Sequence, residues 1–163
     1  MKAILHADRE WGIGINNGLM FRIPADMKFF KETTVGNVVV MGGNTLRSFP
    51  NGNPLKDRVN IVLSKTEEER DGLVVVRSLE ELLTEIKKYD KDKVFVIGGA
   101  AVYKALLPYC DEVLVTKVDA VGGADTFFEN LDRNPDFELV YSSEPTETNG
   151  YTITFTTYKN NKL

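Results

Sequence analysis

The chain holds one cysteine, one histidine and one tryptophan in 163 residues. A single thiol, Cys110, excludes an internal disulfide, and with His6 as the sole imidazole there is no Cys/His cluster for a metal. No stretch approaches the roughly 18 consecutive apolar residues needed to span a bilayer. The start, Met1 to Ala7, is too short and too interrupted for a signal peptide. Basic runs are absent, and a net charge of −4 argues against a general nucleic-acid partner. Low-complexity segments and repeats are absent too. What remains is 42% apolar and 27% charged, the composition of an ordinary globular protein. The expectation is one domain over residues 1–163 with a real core, in a reducing cytoplasm and away from membranes.

Asp26 stands out. It follows Ile23-Pro24-Ala25 and precedes Met27, with Phe30 one helical turn on. Pro24 suits a first helical position, so Asp26 falls in the first turn of a helix over about 24–34. An acid there needs no role beyond favouring the helix dipole, worth about 0.3–1 kcal/mol, but it can also serve a site. The preceding segment adds a second signal. Gly12, Gly14 and Gly18 alternate with Ile13, Ile15, Leu19, Met20 and Phe21, so a flexible loop is also apolar, as in a flap that closes over a ligand.

Two segments share one plan. Val38 to Met41 is an apolar strand followed by Gly42-Gly43 and a helix start at Asn44-Thr45. Val94 to Ile97 is followed by Gly98-Gly99 and a helix start at Ala100. Glycine lets a backbone approach a ligand closely, and helix N-terminal amides favour phosphate. Neither turn is a G-x-G-x-x-G fingerprint or a P-loop. Further strands are read at 2–8, 59–63, 73–76 and 112–118, and a capping box Ser78-x-x-Glu81 opens a helix through about Lys88. Two alternating strands, 137–143 and 151–158, have Asn149-Gly150 as turn chemistry between them. The fold class expected is α/β: a mainly parallel twisted sheet with helices on both faces and an antiparallel C-terminal edge. Ligands of such sheets lie beyond the carboxyl ends of the strands, where both glycine pairs and Asp26 would meet.

These motifs together resemble the dihydrofolate reductase family. The resemblance rests on Gly12-Ile-Gly14 with Asn17-Gly18, Ile23-Pro-Ala-Asp26-Met27 with Phe30, and Met41-Gly42 with Thr45. It continues through Arg58-x-Asn60, Ile97-Gly98-Gly99 with Val102-Tyr103, Thr116-x-x-Asp119 and Asp125-Thr126-x-Phe128. It implies reduction of 7,8-dihydrofolate by hydride from NADPH, dihydrofolate and antifolate-type small molecules as binding partners, and a monomer. It makes Asp26 the carboxylate that accepts two hydrogen bonds from the pterin, with Thr116 and Tyr103 as its catalytic neighbours. Arg58 is then the clamp on the folate glutamyl tail. Ile4, Leu5, Leu19, Met27, Phe30, Phe49, Leu55 and Ile97 become the substrate walls. The cofactor would lie against His6 (through its carbonyl), Ile13, Gly14, Gly42, Gly43, Asn44, Thr45, Leu63, Ser64, Lys65 and Arg77. It would continue along Gly98, Gly99, Ala100, Ala101, Val102 and Thr126.

The chain departs from the family pattern at several positions. Gly43 and Ala101 stand where the family often has basic residues for the 2′-phosphate, leaving Ser64, Lys65 and Arg77 as candidates. Phe21 stands where tryptophan is usual and cannot donate a hydrogen bond. His6 stands at a strand position that is usually small and apolar, and its side chain is expected to be packed or at an edge. Leu46 replaces a larger aromatic. Two alternatives stay open: a pyrimidine reductase of the riboflavin-pathway type on the same fold, and a non-catalytic folate- or nucleotide-binding relative.

Overall fold

The computed structural model describes residues 1–163. Its first half contains β1 (Lys2–Ala7), β2 (Gly12–Gly14), α1 (Pro24–Thr34), β3 (Val38–Gly42), α2 (Gly43–Ser48), β4 (Val59–Leu63) and β5 (Leu73–Val76). The second half contains α3 (Leu79–Ile86), β6 (Val94–Gly98), α4 (Ala100–Leu106), β7 (Glu112–Val118), β8 (Thr126–Phe127), β9 (Phe137–Ser142), β10 (Thr146–Thr148) and β11 (Tyr151–Asn160). The main sheet runs β10-β11-β7-β1-β6-β3-β4-β5, with β9 also on β11. From β7 to β5 every pairing is parallel, and β11 joins β7 antiparallel. The mainly parallel sheet with an antiparallel C-terminal edge is therefore as the sequence pattern implied.

Strand alternation decides which helix covers which face. Val38 and Val40 join Leu82, Val102 and Leu106 in the main core under α3 and α4. Val39, Met41 and Val62 face the other way and pack with Leu46 of α2. Leu46 is fully buried, so it is a core residue rather than a pocket wall. Truncating such a leucine to alanine typically costs about 2–5 kcal/mol.

Several local expectations shift. The Ser78 hydroxyl accepts from the Glu81 amide at 3.1 Å, but the Glu81 carboxylate accepts from the Arg77 amide at 2.7 Å, one residue earlier than a capping box requires. Helix α3 ends at Ile86, short of Lys88. The Asn149-Gly150 turn joins β10 to β11, not the 137–143 strand to β11. β9 instead pairs with the far half of β11, from Thr156 to Asn160. The polar Thr146-Glu147-Thr148 gave β10 no hydrophobic signature. The short pair β2 and β8 was hidden for the same kind of reason, being glycine-rich on one side and two residues long on the other.

Candidate active site

Parallel neighbours end at the same edge, so β3 and β6 release their glycine pairs side by side, with Met41 opposite Gly98 in register. The turns are too close for side chains. A Cβ on Gly42 would come 3.2 Å from Val102 Cγ2, and one on Gly98 would come 3.1 Å from Thr45 Oγ1. Gly98 also has φ +134°, a conformation glycine tolerates best. The peptide bond between Gly98 and Gly99 is cis. Gly42 and Gly99 are the N-cap residues of α2 and α4, and neither contributes a side chain to the first-turn amides. Asn44 and Ala101 are exposed on those first turns, Ala100 is half-buried, and Val102 is buried.

Beyond the first glycine pair lies a polar rim. The Ser64 hydroxyl accepts from the amides of Thr66 and Glu67 at 3.2 and 3.0 Å, and Arg77 Nη1 donates to the Ser64 carbonyl at 2.9 Å. Leu63 ends β4 just before them, and Lys65 is exposed. A residue the sequence reading passed over also belongs here. The Arg47 guanidinium donates to Asn44 Oδ1 at 2.6 Å and to Glu67 Oε2 at 3.2 Å. It lies over Gly43, where a Cβ would come 3.1 Å from Nη1 and 3.4 Å from Ser64 Oγ. Glycine at 43 is thus what makes room for this arginine. Its place four residues further along the same short helix was the only signal available.

At the other end, Asp26 sits in the first turn of α1 with its side chain 14% exposed. Its hydrogen bond comes from His6 Nδ1, 3.0 Å from Oδ2. His6 is packed, as expected, and its imidazole also contacts the acid. Thr116 is buried directly across from His6 on β7. Tyr103 donates its hydroxyl to the Ile4 carbonyl at 2.7 Å and stacks edge-on with Phe128 at 5.2 Å. Burial pushes its phenol well above the usual tyrosine range, so it stays a protonated donor. Leu5 points into the core on the opposite face of the sheet.

Met27 is 39% and Leu19 65% exposed, while Phe30, Phe49, Leu55 and Ile97 are half-buried. Met27 and Leu19 thus keep apolar surface open, while Phe49, Leu55 and Ile97 pack against the cluster of Val39, Met41, Leu46, Val62 and Leu73. Arg58 lies at the opposite end of α1 from Asp26. Nε donates to the Lys56 carbonyl and Nη1 to Thr34 Oγ1, both at 3.0 Å. Burial holds the guanidinium somewhat below its ordinary pKa. The buried Asn60 shapes this corner, accepting from the Leu55 amide at 2.9 Å and donating to the Leu55 and Arg58 carbonyls at 2.8 and 3.1 Å. In the sequence Asn60 is only the last residue of Arg58-x-Asn60, with nothing local to mark this role.

The glycine-rich loop divides in two. Its first half is anchored. Trp11 is buried against Phe128 and Tyr158, and Gly12 and Gly14 pair with β8. Asp8, also unremarked from sequence, accepts from the amides of Glu10, Gly12 and Gly122 and ties the loop to β1. Ile13 packs on the core and Thr126 donates to Asp125 at 2.8 Å. The second half is a tight reversal in which Ile15 and Gly18 exchange backbone hydrogen bonds, with Asn16 and Asn17 at positive φ. The Asn17 side chain donates to the Asn44 carbonyl at 3.3 Å, so the loop tip already reaches the first glycine turn.

Comparison with known proteins agrees with this arrangement. The family model described as dihydrofolate reductase matches residues 1–160. The dihydrofolate reductase of Bacillus subtilis is 36% identical over 150 residues, covering 90% of this chain and 86% of that protein. The bifunctional dihydrofolate reductase-thymidylate synthase of Daucus carota is 34% identical over 175 residues, and the match covers 96% of this chain but only 33% of that protein. Among solved structures, dihydrofolate reductase from Enterococcus faecalis complexed with NADP(H) and RAB-propyl superposes with a TM-score of 0.85 at 35% identity, covering 98% of this chain and 95% of that one. Fold, ordered motifs and whole-chain similarity converge, and the chain belongs to the dihydrofolate reductase family.

Proposed function

We propose that the protein reduces 7,8-dihydrofolate to 5,6,7,8-tetrahydrofolate with NADPH, in the cleft between α1 and the sheet. One observation carries the reading: Asp26, a shielded carboxylate not tied up by backbone amides as Asp8 is, meets His6 near the carboxyl end of β1, the sheet end at which both glycine turns open. The glycine turns suit a bound dinucleotide, because a Cβ at Gly42 or Gly98 would crowd Val102 or Thr45, and without one the two turns pack closely and offer backbone rather than side chain to a ligand. Gly42, Gly43, Thr45, Gly98, Gly99 and the first amides of α4 would hold its phosphates. When bound, NADPH supplies the hydride.

The chain's own residues do the rest. Asp26 accepts the pterin N–H and amino hydrogens through its two oxygens, which fixes the ring and supports protonation at N5. Met27, Phe30, Phe49, Leu55 and Ile97 exclude water from the ring system. Arg58, already braced by Thr34 and Lys56, takes the tail carboxylate. Arg47, Lys65 and Arg77 form the cationic rim for the 2′-phosphate, with Ser64 among them. Tyr103 and Thr116 complete the floor beside Asp26. The reading also takes the chain as one domain acting as a monomer in the cytoplasm, with no nucleic-acid partner. The buried lone Cys110, its thiol pushed up to about 12, suits a reducing compartment.

The test is oxidation of NADPH, and separately NADH, by purified protein with and without dihydrofolate. Dihydrofolate-dependent oxidation with NADPH preferred is the expected result. Absence of turnover with tight folate binding would move the reading to a non-catalytic binding protein. Comparable use of NADH would keep the reaction and remove the proposed role of the cationic rim.

A further inference from the structure

His6 is the protein's only histidine, and its placement is hard to explain by packing. It lies on β1 with its side chain 5% exposed, beside the ring of Phe21 at 6.0 Å. Burying an imidazole costs free energy unless both ring nitrogens find partners. Here Nδ1 has one, Asp26 Oδ2 at 3.0 Å, while Nε2 is buried with no hydrogen-bond partner. With Asp26 as a carboxylate, which only accepts, this bond takes its hydrogen from Nδ1 and fixes the orientation of the ring. Around the imidazole, β7 contributes Thr116, the loop contributes Phe21, and Tyr103 of α4 keeps its hydroxyl on the Ile4 carbonyl. Asp26, from α1, is the charged group that His6 touches.

We propose that His6 is a positioning residue of the pterin site that acts through Asp26. Its Nδ1–H holds Oδ2, so the carboxylate keeps one rotamer and its remaining lone pairs stay turned to the ligand. A carboxylate at the first turn of a helix, with no other side chain bonded to it, would otherwise sample several rotamers. Holding it in advance removes that ordering cost from ligand binding. The proposal rests on the reading that this cleft takes a pterin, while the His6–Asp26 bond itself can be examined without any substrate.

A lone histidine makes that examination direct. Selective ¹⁵N-histidine labelling reports one ring. In ligand-free protein Nδ1 should carry a slowly exchanging hydrogen whose signal moves in Asp26→Asn. Identical ring signals in the two proteins would overturn the proposal, whether or not dihydrofolate is turned over. Kinetics give the second readout. His6→Leu should lower kcat/KM for dihydrofolate about tenfold, the worth of one hydrogen bond to a charged group, and leave the KM for NADPH within about twofold. His6→Asn, whose amide N–H falls near the position of Nδ1–H, should recover most of the loss. In an Asp26→Asn background, His6→Leu should add less than about a further twofold, because two residues acting through one contact are not additive. Multiplicative losses, or His6→Asn no better than His6→Leu, would make His6 a packing residue only. If His6→Leu fails to fold, His6→Asn and the labelled wild-type ring still decide the matter. A protein that binds no pterin but shows the labelled-ring shift would overturn the substrate reading and keep the bond.

Discussion

On the proposed reading, the two ends of the site hold ligand by different means. At the pterin end the determinants are side chains, namely one shielded acid, one histidine and a rim of aromatic and aliphatic groups. At the dinucleotide end the inner determinants are backbone, with glycines 42 and 98 packed against Val102 and Thr45. The outer determinants there are exposed arginines that already have partners in Glu67, Asn44 and Ser64. A buried, unique contact concentrates its effect in one residue. Exposed and shared contacts spread it over several, each worth little. The pterin end should therefore be brittle to single substitutions and the outer dinucleotide end tolerant.

The largest expected effect is at the acid. Asp26→Asn should slow hydride transfer by at least about 100-fold, the usual contribution of a positioned acid–base group, with the thermal melt little changed. Partial recovery at low pH in single-turnover measurements would sharpen the assignment, and unchanged turnover would break it. Arg58→Leu comes next. It should weaken glutamate-bearing substrates by about 10–100-fold, the range for hydrogen bonds to charged groups, and spare truncated pterins. Equal losses for both would remove the tail clamp. Gly98→Ala tests the backbone half of the comparison. The strained φ and the 3.1 Å approach to Thr45 Oγ1 should reduce NADPH affinity and lower the melting temperature together. A cost to stability of about 1–3 kcal/mol is expected, readable by denaturant titration. Arg47→Ala and Arg77→Ala should be mildest, each weakening NADPH about two- to fivefold relative to NADH, as exposed charge pairs do. If either alone abolishes NADPH preference, the outer rim is not a shared site and the contrast between the two ends fails.

Legibility from sequence follows the same division. Strands β3, β4, β6 and β7 announced themselves as apolar runs, because a parallel sheet is buried on both faces. Helix α1 was readable to the residue from Pro24 and its spacing. β10 was not, since polar residues that complete an edge carry no burial signal. The Asn149-Gly150 turn was recognised as turn chemistry but given the wrong incoming strand, because a turn signal does not say which strand enters it. In the site, Asp26 and the glycine pairs were visible as residue types out of place in their local context. Arg47, Asn60 and Asp8 were not, because each has an ordinary local setting and matters only through partners distant in the chain or through a neighbouring glycine.

Sequence alone determined the order of elements, the two glycine turns and the presence of an acid at the start of α1, because these depend on local pattern and on the steric freedom of glycine. Tertiary structure alone decided that both turns open side by side, that Arg47 lies over Gly43, and that the imidazole of His6 meets Asp26 across 20 residues of chain. Those are facts of strand order and register. A strand's own residues specify what it can bury, while its neighbours in the sheet specify what its exposed atoms will meet.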